Sequence, residues 1–112
     1  VYVMSNKAYP NIYKIGSTYG LPEERAEELT GTGHLHPFKV EISFEIKDAE
    51  YYEKKIHKLL DKNRVNKNRE FFEIDLPKLR KIIEHISIKA NRTSERLKLS
   101  DLKSIFFNSN LT

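Results

Sequence analysis

The sequence predicts a small α/β domain, a mostly antiparallel sheet of about three strands flanked by helices. Short β-branched and aromatic runs end at turn-forming residues, and between them lie stretches whose apolar residues recur at helical spacing. With 112 residues there is room for a single modest core.

Val1 to Met4 and Ile12 to Ser17 read as a hairpin, because "SNKAYPN" between them is turn chemistry. "YGLPEERAEEL" starts a helix with Pro22 in its first turn and acidic residues near the positive end of the dipole; "TGTGHLHP" stops it. Phe38 to Ile46 alternates apolar with polar residues, the period of a half-buried strand. Asp48 can cap a second helix in which Ala49, Tyr52, Ile56, Leu59 and Leu60 form an apolar face down to about Asp61. "NRVNKNR" is a polar, basic loop, "EFFEI" is a short strand or extended segment, and Pro77 to Ile88 carries Leu79, Ile82, Ile83 and Ile86 at helical spacing. After Lys89 the chain turns polar, then Leu99, Leu102, Ile105 and Phe106 suggest another amphipathic helix, which either packs back or leads to a further module. Residues 1–88 therefore read as the domain and 89–112 as a C-terminal segment. Val1 already reads as strand, so further residues are expected before it.

Twenty Lys and Arg against sixteen Asp and Glu leave a net charge of +4, which suits a polyanionic partner. The absence of cysteine excludes a disulfide scaffold, a Cys-based zinc site and a thiol nucleophile, and is compatible with a cytoplasmic, intracellular setting. No apolar run has the length of a membrane span and no signal peptide is visible, so no membrane association is expected.

Several residues stand out chemically. On a helix beginning near Leu21, Arg25 lies one turn after Leu21 and one turn before Leu29, on the stripe expected to face the core. It either snorkels at the rim of the core or pairs with a neighbouring glutamate, or points a planar, permanently charged fork at a phosphate. Glu53 and His57 fall one turn apart on the flank of the second helix. They are an ordinary boundary contact, or a hard oxygen ligand for a divalent metal beside a proton-transfer group. Tyr2 and Lys14 sit on adjacent strands and can share a face, or Tyr2 is simply a strand aromatic packing on its neighbour. Arg64, Lys67 and Arg69 in the basic loop suit non-specific phosphate contacts or plain solvation. His34 and His36 read as loop residues.

In order, these pieces resemble the GIY-YIG nuclease superfamily. "VY" at residues 1–2 resembles its "IY", "KIG" at Lys14 to Gly16 its "YIG", "ERAEEL" the helix bearing its arginine and "EKKIH" the helix bearing its metal glutamate. The chain is most similar to a small phage and bacterial branch reading "VYVMSN", "KIG", "PEERAEEL", "TG…PF", "E…H" and "NREFF", over about residues 1–74. The resemblance implies a compact α/β fold and hydrolysis of DNA phosphodiesters with a divalent cation, usually magnesium. It assigns Tyr2 to activating or positioning the water, Arg25 to neutralising phosphate charge, Glu53 to the metal and Gly16 to close approach of the substrate. It also points to His57 and to Glu70 of "REFF". Where most of the superfamily has a tyrosine stands Lys14, which can supply a cation or a base; strand alternation turns the neighbouring Tyr13 to the other face. The expectation is a metal-dependent DNA endonuclease, the alternative a catalytically silent nucleic-acid-binding module of the same fold. An additional DNA-binding domain is expected in the full-length protein.

Overall fold

A computed structural model describes residues 1–31, 36–65 and 70–109. At its centre is an antiparallel sheet of four strands, β1 (Tyr2–Ser5), β2 (Ile12–Gly16), β3 (Lys39–Ser43) and β4 (Phe71–Glu73), in the order β3-β1-β2-β4. Among the described residues four helices flank it: α1 (Pro22–Thr30), α2 (Ala49–Leu59), α3 (Leu76–Arg92) and α4 (Leu99–Ser109). This is the predicted class with one more strand, since "FFE" pairs with Ile12 to Lys14 as an edge strand. So short a strand holds because Phe72 is fully buried on one face while Phe71 lies opposite Lys14 on the other.

The register decides what each face carries. Directly opposed residues of an antiparallel pair share a face, so Tyr2 with Gly16 and Met4 with Lys14 lie on one side, and Val3 with Ile15 on the other. On the first face α1 covers β1 and β3, where Tyr2, Met4 and Ala26 pack with Leu29, Phe38 and Val40. On the second face α2, α3 and α4 bury the main core, including Ile15, Tyr52, Ile56, Phe72, Ile82 and Leu102.

Local chemistry explains the element ends, with some departures from expectation. In the hairpin, Asn6 Oδ1 accepts from the Ala8 amide at 2.9 Å, and Asn11 takes a left-handed conformation (φ 64°) that asparagine tolerates. Helix α1 starts at Pro22 and stops at Gly31, whose φ of 62° suits glycine and whose N–H reaches the Glu27 carbonyl at 3.1 Å. Leu21 is thus the residue before the helix and is 61% exposed, so no leucine stripe runs through Arg25; Ala26 and Leu29 make the inward face instead. Strand β3 ends at Ser43, three residues short of the predicted run. Asp48 stands at the N-cap of α2 in a left-handed conformation (φ 58°), and its carboxylate makes no cap; it pairs with Arg96 at 3.3 Å. Asp75 does cap α3, accepting from the Lys78 amide at 3.1 Å. Helix α3 continues past Ile88 to Arg92 because Ala90 extends the buried stripe of Leu79, Ile82, Ile83 and Ile86.

Helix α4 packs back: Leu102 and Ile105 join the main core, and the connection before it is held by Tyr51 Oη donating to the Leu97 carbonyl (2.8 Å) and the Leu97 amide donating to Tyr52 Oη (2.9 Å). No described helix is long and apolar enough to cross a membrane. Leu102 is fully buried and Phe107 is 65% exposed, so the two ends of α4 should respond differently to truncation. Leu102→Ala is expected to cost about 2–5 kcal/mol by chemical denaturation, and Phe107→Ala less than about 0.5 kcal/mol. Equal small losses would mean that α4 adds nothing to the core.

Candidate active site

The site begins with a missing side chain. Gly16 lies directly across from Tyr2, and a Cβ at Gly16 would overlap the Tyr2 phenol ring and its hydroxyl oxygen. Only glycine lets the buried Tyr2 ring lie flat across β2. That ring brings its hydroxyl to Arg25 on α1, whose guanidinium also donates to Glu28 Oε2 at 3.0 Å. Glu28 first, and the Tyr2 hydroxyl second, hold the Arg25 guanidinium above its already high ordinary value. The Arg25 side chain is 40% exposed, so this cation faces water from the edge of α1 with one firm internal partner on its own helix.

On the other side of β2 the strand alternation, carried one residue on, turns Ser17 toward α2. Ser17 Oγ donates to Glu53 Oε1 at 2.8 Å. Burial holds the Val1 amino group below its ordinary value and the Glu53 charge offsets this in part, so that carboxylate lies near the residue that precedes β1. Arg25 and Glu53 thus come to one end of the sheet from its two faces, linked through Tyr2, Gly16 and Ser17. Two depressions open there and share Thr18, Tyr19 and Ala49. The larger, about 680 Å³, includes Val1 and Tyr2; the smaller, about 240 Å³, is lined by Ser17, Glu50 and Glu53.

Among the described residues no cluster of three or more His, Asp or Glu surrounds one point. The donors at the smaller depression are hard oxygens: the Glu53 carboxylate, with Glu50 one turn before it on α2 and the Ser17 hydroxyl. Such a set is too sparse to cage an ion. It fits a small divalent cation that keeps several waters and takes one or two carboxylates together with a phosphate oxygen.

The remaining candidates divide. Lys14 is buried on the Tyr2 face, with Nζ 2.7 Å from Glu70 Oε2 and lying over the Phe71 ring. Its Cα lies two residues, about 7 Å, along β2 from that of Gly16, and its ammonium is held by Glu70. His57 is not on this face. It is buried among α2, β2 and Phe72, and its Nε2 lies 2.8 Å from the Ile15 carbonyl, to which it donates as the Nε2–H tautomer. Across β4 the Ile15 amide is taken by the Glu70 carbonyl (3.0 Å), so His57 completes the end of the β2 ladder. The proton-transfer role expected for His57 has no geometric support here, because the sheet separates it from the Tyr2 hydroxyl. Tyr13 packs on the main core, as strand alternation requires. Arg64 departs from the phosphate-contact expectation: its side chain is only 18% exposed, stacks on Phe72 and pairs with Asp61 at 3.3 Å. Lys67 and Arg69, like His34, lie outside the described residues. Sequence reasoning does not single out Ser17; a polar residue directly after the strand glycine is the signal that could have found it.

The family model described as the T5orf172 domain matches residues 1–87. No curated protein and no solved structure matches the chain.

The Tyr2–Gly16 contact predicts a coupling. Gly16→Ala should destabilise the domain by about 1–3 kcal/mol, and much less so in a Tyr2→Ala background, where the ring it collides with is gone. A denaturation double-mutant cycle measures this; strictly additive losses would show that the ring is not what excludes a side chain at residue 16.

Proposed function

Since the chain belongs to the T5orf172 domain family, which is related to GIY-YIG-like and HNH-type nuclease folds, we propose that it is a divalent-metal-dependent endonuclease that hydrolyses DNA phosphodiester bonds. A nuclease-like domain has DNA as its partner, and the net charge of +4 agrees with that. The observation that carries the proposal is the continuous series Arg25, Tyr2, Gly16, Ser17 and Glu53 at one end of the sheet, with a cation at one extremity and a carboxylate at the other.

In this reading the scissile phosphate lies along that series. Arg25 supplies a permanent, forked positive charge to the non-bridging oxygens, where negative charge grows as water attacks phosphorus. The Tyr2 hydroxyl, set beside Arg25, accepts a hydrogen bond from the attacking water and aims it, and the proton that water loses passes through solvent to the departing oxygen. Glu53, oriented by Ser17, would hold magnesium with water and phosphate oxygen completing its shell. Bound there, magnesium supplies Lewis-acid activation of the phosphate and neutralises the departing oxygen. Lys14, its charge taken up by Glu70, and His57 support β2 from its two faces. Gly16 leaves the room that the Tyr2 ring fills, so that its hydroxyl is carried across β2 toward the phosphate.

Nicking of supercoiled plasmid in magnesium is the test. Glu53→Gln and Arg25→Ala should each lower the rate roughly 10²-fold or more with unchanged circular dichroism and melting. His57→Asn should act chiefly by lowering stability. If no divalent metal supports cleavage, or if the Glu53 and Arg25 variants cut as well as the parent, the enzyme reading fails; salt-sensitive DNA binding indifferent to Glu53→Gln would then identify a silent binding module.

A further inference from the structure

Tyr19 has no place in the fold. It is 93% exposed, against 51% for Tyr9 and 2% for Tyr2 and Tyr52, and it makes no hydrogen bond or ring contact with any described residue. A single exposed aromatic is ordinary, but this one stands on the shared rim of the two depressions, one holding Tyr2 and the other Glu53. Two residues on, Leu21 is 61% exposed beside it.

The loop presenting Tyr19 is tied at each step. Ser17 is fixed to Glu53, the Gly20 amide donates to Thr18 Oγ1 at 3.1 Å, and the Leu21 carbonyl accepts from the Glu24 and Arg25 amides at 3.1 and 3.2 Å. The backbone that presents the ring is therefore braced on both sides, which lowers the backbone entropy lost when something packs on it. On the Glu53 side its surroundings are polar and acidic, Ser17, Thr18, Glu50 and Glu53, while Val1, Leu21, Phe44 and Ile46 line the other depression. A lipid tail would have to pass these carboxylates. With a divalent cation at Glu53 offsetting their charge, the setting suits a flat ring that arrives attached to a phosphate.

Resting on the nuclease reading above, we propose that Tyr19 is a stacking platform for a nucleobase beside the scissile phosphate, so that the preferred substrate is DNA whose bases next to the cut are unpaired or readily unstacked. Spacing agrees. Two residues of chain span at most about 7 Å, and one DNA strand advances about 3.4 Å per nucleotide, so Tyr19 reaches a base within about two nucleotides of a phosphate held at Glu53. In an intact duplex both faces of each base are covered by its neighbours, and a tyrosine can stack only where that stack is opened. Specificity of this kind reads a π-face and is tolerant of sequence.

The experiment separates this inference from the nuclease reading by measuring binding without turnover. A single-stranded oligonucleotide carrying 5-iodouracil is bound with calcium in place of magnesium, irradiated and mapped by mass spectrometry, alongside titrations of the parent, Tyr19→Ala and Tyr19→Trp, each checked for unchanged melting. Stacking predicts a cross-link at Tyr19, affinity about 5- to 150-fold weaker for Tyr19→Ala, and near-parental affinity for Tyr19→Trp. Affinity of Tyr19→Ala equal to the parent, or of Tyr19→Trp as weak as Tyr19→Ala, overturns the proposal. Plasmid nicking that survives with Tyr19→Ala at unchanged KM overturns stacking and leaves the nuclease standing, whereas stacking without any nicking overturns the nuclease alone.

Discussion

The candidate site depends on one steric condition, the absence of a Cβ at Gly16. An antiparallel pair sets opposed Cβ atoms about 5 Å apart, too close for a buried phenol to lie across its partner strand if that partner has any side chain. With glycine there, the Tyr2 ring crosses β2 while still counting as core, and its hydroxyl emerges at the helix that carries Arg25. One residue thus serves packing and polar chemistry at once. The tyrosine body is buried with Met4 and Ala26, and its polar tip is delivered to the edge of the same cluster.

The second consequence concerns where the two faces of the sheet meet. Residues on opposite faces cannot normally touch, since roughly 10 Å of packed side chains lies on either side. At the end of β2 this separation closes: Gly16 belongs to the Tyr2 face and Ser17 already serves the α2 face, so a cation on α1 and a carboxylate on α2 come to a common edge. That edge must be stiff to be useful. His57 supplies part of the stiffness by taking the Ile15 carbonyl that the short β4 leaves free, and the Lys14–Glu70 pair clamps the same strands from the other face. Buried or half-buried pairs of this sort cost desolvation and contribute little net stability; here they hold a strand end in register.

The T5orf172 match and the α4 packing bear on different parts of the chain. The family model stops at residue 87, whereas the core continues through Leu97, Leu102 and Ile105. Tyr51 and Tyr52, both on α2, bind the backbone at Leu97. The last helix is therefore braced against the helix that also bears Glu53.

The sequence by itself determined element type and order, because the signals involved are local. Alternation in Phe38 to Ile46, the apolar spacing in α2 and α3, Pro22 and Gly31 at the ends of α1 all act within a few residues of one another. Local reading also placed Tyr13 on the face away from Lys14. It fails where a residue's partner is distant, as with the Asp48 carboxylate, which pairs with Arg96, 48 residues on, instead of capping α2, and at a helix start, since Leu21 stays outside α1 and leaves no leucine stripe through Arg25. Only the tertiary structure decided the contacts that make the site: Ser17 with Glu53, Lys14 with Glu70 and His57 with Ile15, separated by 36, 56 and 42 residues. Such pairings are set by strand register, where a slip of one residue exchanges the two faces. That register is fixed by the burial of the whole core and is written in no single stretch of the chain.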